Sequence, residues 1–160
     1  MRRKEREITE KDAIRSIIAE CKVLRLGFYD EENDEVYIVP VNFGYEERNG
    51  KLIFYIHGAK EGRKAELIKR TGRAGFELDC GCEITDWPSA CAYSANYKSI
   101  VGKGIIRMIP DSDRDEKRHA LMRIMLKNTG KADWEFPDAA TDAVMTAALE
   151  VTELCAKAHV

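Results

Sequence analysis

The stretch Phe54-Tyr55-Ile56-His57-Gly58-Ala59-Lys60-Glu61-Gly62-Arg63-Lys64 gathers the residue types that hold an anion. An apolar run that reads as a strand ends at His57. A helical pattern then spans 61–70, with Ala65, Leu67 and Ile68 as its apolar contacts. That helix starts without a Ser, Thr, Asp or Asn to cap its free N–H groups. It also carries Lys60, Arg63 and Lys64 in or beside its first turn, where each positive charge opposes the helix dipole by about 0.3–1 kcal/mol. A phosphate would accept from the N–H groups and neutralise the cations. Gly58 and Gly62 would let the backbone approach it closely. The competing reading is a solvated basic helix start with ordinary turn glycines. His57, at the edge of this loop, is either a hydrogen-bonded structural residue or an acid–base group.

Several elements must position this loop. Residues 9–20 read as a helix, with Thr9 as N-cap, Asp12 three residues on, and Ile14, Ile17, Ile18 and Cys21 on one face. Residues 22–29 read as a strand, followed by a turn from Asp30 to Asp34. In 35–45, Tyr37, Val39, Val41, Phe43 and Tyr45 alternate along one face, which predicts a single strand with a buried side. Pro40 cannot donate to a ladder, so this strand is an edge or a bulge, a place where a ligand could lie. Asn49-Gly50 predicts a hairpin turn, with 51–57 as the return strand.

Further strands are predicted over 74–80, over 97–109 with a bend near Gly102 and Gly104, and over 147–154. Helices are predicted over 111–126, with Gly130 beyond its end, and over 138–146. Residues 80–88 read as a loop. Tyr37, Phe43, Tyr45 and Tyr55 are most simply core aromatics, and Cys21 and Cys91 small buried residues. Antiparallel strands with helices at intervals fit a closed barrel with peripheral helices. Periodicity alone does not choose between that and an open α+β sheet.

At 160 residues the chain suits one domain, residues 1–160. A net charge of -2 argues against general nucleic-acid binding, which needs a basic face. No stretch reaches the length of a transmembrane helix, and the charged start is unlike a secretory signal, so no membrane partner is expected and the cytoplasm is the expected location. Five cysteines, an odd count, read as free thiols. Cys80-Gly81-Cys82 lacks the two-residue spacer of zinc knuckles, and no metal site is expected. No Ser-His-Asp order, Walker loop, Rossmann fingerprint or HExxH motif is present.

Three segments together form a recognisable pattern. Val39-Pro40-Val41-Asn42-Phe43-Gly44-Tyr45 is followed by His57-Gly58-Ala59-Lys60-Glu61-Gly62-Arg63-Lys64, and later by Ala90-Cys91-Ala92-Tyr93-Ser94-Ala95-Asn96-Tyr97-Lys98-Ser99-Ile100-Val101-Gly102-Lys103-Gly104. Their order resembles the Nim-type, nitroimidazole-resistance-related branch of the pyridoxamine-phosphate-oxidase-like flavoproteins. The opening Arg2-Arg3-Lys4-Glu5-Arg6-Glu7-Ile8-Thr9 is similar too, so the resemblance covers residues 2–155.

The resemblance implies a mainly β (α+β) fold, a six-stranded antiparallel Greek-key split barrel with peripheral helices. It implies a homodimer with FMN in a groove between subunits; some members hold FAD. By the same resemblance, Val39, Pro40, Val41 and Asn42 border the isoalloxazine ring. His57, Gly58, Ala59, Lys60, Arg63 and Lys64 line the ribityl-phosphate end, Tyr97 and Ser99 approach the same groove, and His57 is the catalytic candidate. The implied activity is an FMN-dependent oxidoreductase acting on small molecules such as nitroaromatics, with a reduced pyridine nucleotide as one electron donor. The alternative is a flavin-binding module for storage or sensing. The chain departs from the pattern at Leu154-Cys155-Ala156-Lys157, where many relatives have Thr-Gly-Lys, and in the loop 80–88.

Overall fold

Alternating apolar residues put nearly half of the chain into extended structure. The computed structural model describes residues 3–159; Arg2, the first residue of the opening motif, lies outside them. In chain order the elements are β1 (Glu7–Ile8), α1 (Lys11–Glu20), β2 (Leu24–Asp30), β3 (Glu35–Val41), β4 (Phe43–Arg48), β5 (Lys51–Gly58), α2 (Arg63–Thr71), β6 (Arg73–Thr85), β7 (Ser94–Met108), α3 (Arg114–Thr129), α4 (Asp138–Ala143) and β8 (Met145–His159). The strands form one antiparallel sheet in the order β3-β2-β6-β7-β8-β5-β4, with β1 added to β8. Its two outermost strands, β3 and β4, follow one another in the chain with only Asn42 between them. The sheet therefore curls until its edges meet at a covalent link and not at a ladder of hydrogen bonds. This is a split barrel with helices outside.

The predicted single strand over 35–45 is thus two strands on opposite edges, broken at Asn42. Alternation could not reveal the break, because Val41 and Phe43 both face the same core. Pro40 does sit on an edge strand, opposite Arg25, where a missing N–H is tolerated. The interior holds Leu24, Leu26, Phe43, Phe54, Leu78 and Ile100, all fully buried, with Ile17 and Ile18 of α1 and Leu67 and Ile68 of α2 against them. Phe54 packs edge-on against Phe43 at 5.6 Å and Phe76 at 5.2 Å between ring centroids. Burying each large apolar side chain contributes about 1.5–3 kcal/mol.

A second cluster lies outside the barrel, where Ile53, Tyr55 and Ala148 meet Ile109, Ala120 and Ile124 beneath α3. β5 is thereby buried on both faces, which accounts for its unbroken apolar run from Leu52 to Ile56.

Other boundaries move for identifiable reasons. α1 starts at Lys11 with no side-chain cap, because Ile8 pairs with Ala156 and holds residues 7–8 in a strand; Thr9 does not cap it. α4 ends at Ala143, since Met145 and Thr146 are drawn into β8 opposite Gly58 and His57. β6 runs on to Thr85 through a bulge between Cys80 and Glu83, so part of the predicted loop 80–88 is strand. Cys91 is exposed in a 3₁₀ turn, Ala90–Ala92, far from any core, whereas Cys21 is fully buried. α3 starts at Arg114, capped by the Asp113 carboxylate, which accepts from the Glu116 N–H at 3.0 Å, and ends at Gly130 in the left-handed region.

α3 is seated directly on the edge strand β4. Arg123 donates to the Tyr45 carbonyl at 2.7 Å, and Asn128 donates to the Phe43 carbonyl at 3.1 Å. Between them Gly44 faces the helix backbone so closely that a Cβ would land on Arg123 and Ile124. Gly44→Ala should cost about 1–3 kcal/mol by overpacking. For a chain of this length that is roughly 2–4 °C in Tm per kcal/mol. Calorimetry of the variant checks this; an unchanged Tm would mean that α3 does not rest on Gly44.

Candidate functional site

The start of α2 has the uncapped geometry that its sequence implies. Gly62 is the N-cap, with φ +103° and ψ 168°, a conformation reserved for glycine, and no side chain caps the first turn. Lys64 in that turn is half-buried and folds back over the end of β5. Its Nζ lies 3.4 Å from the His57 carbonyl and has no acidic partner among the described residues. A Cβ on Gly58 would come within 2.7 Å of that Nζ, so a larger residue here would push the lysine tip aside. Burial without a counter-charge lowers the Lys64 pKa.

The other two cations of the loop turn to carboxylates. Arg63 binds Asp30 at 3.1 Å and also Glu35, and its guanidinium stacks 4.8 Å from the Tyr37 ring centroid. Lys60 pairs with Asp111 at 2.6 Å. Ala59 is exposed between Gly58 and Lys60.

His57, one residue before the end of β5, lies opposite Thr146, whose hydroxyl is buried without a hydrogen-bond partner. The imidazole pKa is lowered from the ordinary 6.5, first by desolvation and second by the Lys64 charge. The ring is therefore neutral near pH 7 and can both accept and donate. Because Phe43 pairs with Ile56, Asn42 follows one step on beside His57. Asn42 is exposed, and its amide lies 3.4 Å from Asn128. Val39 and Val41 face inward and Pro40 outward on the strand that Arg63 reaches through Tyr37. One corner thus unites residues 39–42, residues 57–60 and the start of α2.

Tyr97 and Ser99 do not join it within one chain. They pair with His159 and Lys157, whereas the end of β7 nearest His57 is Met108, opposite Ala147. The eleven residue steps from Tyr97 to Met108 span on the order of 36 Å of strand. Three residues of the corner gave no sequence signal: Thr146, inside a stretch predicted helical, Asn128, and Asp30, which is buried in its turn and held by Arg63, Arg70 and Asn33.

A curled antiparallel sheet whose edges join at a single residue, with an uncapped basic helix start at that corner, defines a split-barrel protein. Residues 10–158 match the pyridoxamine 5'-phosphate oxidase family, and the chain belongs to it. Among solved structures it is similar to that of a candidate 5-nitroimidazole antibiotic resistance protein from Bacteroides thetaiotaomicron. That match has 30% identity and a TM-score of 0.80 and covers 95% of this chain and 86% of that one. The flavocytochrome Anf3 from Azotobacter vinelandii matches with TM-score 0.76 and 16% identity, over 100% of this chain and 72% of that one. The FAD and heme binding protein from Mycobacterium smegmatis matches with TM-score 0.77 and 15% identity, over 96% and 73%. The latter two share the fold. A search of curated protein sequences returned no match. No helix among the described residues is long and apolar enough to cross a membrane.

Because the folded chain disfavours protonated His57, its contribution to stability is present above the ordinary pKa of 6.5 and is lost as pH falls through the depressed value. An NMR titration of the imidazole should show a midpoint below 6.5, and Lys64→Met should move it upward. A midpoint that stays put in the variant would show that the Lys64 charge does not reach the ring.

Proposed function

We propose that this protein is a flavoprotein that binds FMN by its phosphate at the start of α2 and acts as an oxidoreductase on small molecules, nitroaromatics among them. One observation carries the reading. The half-buried Lys64 has no acidic partner among the described residues and stands beside the uncapped first turn of α2, over a glycine that makes room for it. Backbone N–H groups and one free cation suit a single terminal phosphate. Arg63, held by Asp30 and Glu35, orients the loop and supports Tyr37. Val39, Pro40, Val41 and Asn42 offer the ring an apolar border with backbone groups at the open edge. The neutral His57 imidazole is the proton donor or acceptor nearest that border. When bound, the flavin supplies the electron or hydride transfer. The 30% identical relative supports the nitroaromatic substrate, and the printed names of the two more distant structures support a flavin ligand.

The working unit in this reading is a homodimer. Tyr29, Val36, Ile38, Val101 and Ile105 are all exposed. Cross-strand register puts them on the outer face of β2, β3, β6 and β7. Gly27 and Gly75 leave a shallow depression of about 500 Å³ beside Tyr29 and Ile105, lined also by Arg73, Lys103 and Glu153. A second copy seated there would cover these exposed apolar side chains. It would also let Tyr97 and Ser99 of one copy approach the corner of the other.

The purified protein should be yellow and release FMN. Lys64→Ala should weaken FMN binding by about 1–3 kcal/mol, roughly 5–150-fold in Kd. Arg63→Ala should weaken it less, because that side chain is already paired. Fluorescence quenching of added FMN measures both, and an unchanged Kd in Lys64→Ala removes the phosphate assignment. Ile38→Asp combined with Val101→Asp should give a monomer by light scattering that has lost its flavin; a doubly substituted protein that remains dimeric would place the interface elsewhere.

A further inference from the structure

Cys21 follows the last turn of α1 and is fully buried in the barrel core. Cys80 is partly buried against that same core, at the last regular pair of β6 with β7 before the ladder slips. The two thiols lie near enough that each perturbs the other's titration. Neighbouring contacts bring their two segments together. Lys98, the cross-strand partner of Cys80, donates to the carboxylate of Glu20 at 2.6 Å, and Glu20 precedes Cys21 in the chain. A Cβ on Gly81 would lie 3.6 Å from the same carboxylate. Nothing in the proposed flavin corner uses either sulfur.

We propose that Cys21 and Cys80 form a redox-active dithiol that closes reversibly to a disulfide by exchange with a small-molecule disulfide such as oxidised glutathione. The Cys80 thiolate attacks one glutathione sulfur, the glutathione S–S bond breaks, and one glutathione thiolate leaves. The Cys21 thiolate then attacks the Cys80 sulfur of the mixed disulfide, and the second glutathione thiolate leaves. The protein gives up two electrons and two protons, and oxidised glutathione takes them up as two thiols. The partly exposed thiol is the entry point and the buried one resolves the adduct.

The bulge supplies the slack that bond formation needs. Ladder pairing is already interrupted between Cys80 and Glu83, and Gly81 sits at φ +64°, so the Cys80 sulfur can close on Cys21 without breaking a paired strand. Burial pushes the Cys21 thiol up to about 12 and raises Cys80 as well, so exchange is slow at neutral pH and closure follows sustained oxidation. Cys82 is exposed just beyond Gly81 and is the competing site.

The test uses the full chain, with whatever flavin it carries, in a Cys82→Ser/Cys91→Ser background that removes the two exposed thiols and leaves three. Prolonged incubation with oxidised glutathione at mildly alkaline pH should leave one titratable thiol after denaturation. Peptide mapping should join Cys21 to Cys80, and dithiothreitol should restore all three. In the otherwise unsubstituted chain the same Cys21–Cys80 link should dominate the map. Three thiols surviving oxidation, a stable glutathione adduct on Cys80, or a Cys80–Cys82 link in the unsubstituted chain would each overturn the proposal.

Discussion

The two edges of the sheet are consecutive strands, and one residue, Asn42, must carry the chain from one to the other. That covalent constraint shapes the molecule. β3 can pair with β2 and β4 with β5 only if the whole antiparallel sheet bends round to bring its edges together. The bend is taken up where the long strands are weakest. β7 slips its register against β8 between Lys103 and Gly104, and at Gly102 and Gly104 a side chain would strike the carbonyls of Glu153 and Glu150. Curvature in turn creates an interior wide enough for Phe43, Phe54 and Phe76 to meet edge to face. The same closure brings the Asn42 junction beside the end of β5.

Electrostatics then decides how that corner is equipped. Asp30 stays ionised although it is buried, because Asn33 donates to it and Arg63 and Arg70 bring positive charge. It thereby draws Arg63 away from the helix start. Asp111 does the same to Lys60 while also binding Lys117, and these two lysines hold its carboxyl down to about 2. Lys117 is a fully buried cation, satisfied by Asp111 at 2.7 Å and the Val144 carbonyl at 2.8 Å, so it ties α3 to the entry of β8. With its neighbours spoken for, Lys64 is the cation of this loop left without a carboxylate partner among the described residues. A loop of three free cations would repel itself and bind anions indiscriminately. One lysine unpaired among the described residues, with backbone donors beside it, would in the proposed reading be a narrower receptor.

The outer face follows a different logic. Covered by α3, the outward side of β5 becomes a second small core around Tyr55, whose hydroxyl donates to Glu46 at 2.8 Å. No helix covers β2, β3 and the adjoining part of β7 in the same way. Their outward residues include Val36 and Ile38 at 67% and 63% exposure, values unusual for β-branched residues in mid-strand. A barrel can therefore be complete inside and still leave large apolar side chains exposed on one flank, interleaved with Arg25, Arg73, Glu77 and Lys103.

Features that depend on neighbours along the chain were fully legible in the sequence. Asn49-Gly50 makes its hairpin with both residues at positive φ, Gly130 stops α3 in the left-handed region, Pro40 lies on an edge, and α2 begins without a cap. Each is set within a few residues by steric limits or by the donors left over at a helix end. Features that depend on which distant residue lies alongside were not. The break at Asn42, the capture of Arg63 by Asp30 and Glu35, the exposure of Cys91 and the separation of Tyr97 from His57 all turn on pairings between segments tens of residues apart. Alternation tells a residue which face it occupies but carries no label for the strand beside it, so the assembly of the corner was decided only when the sheet closed.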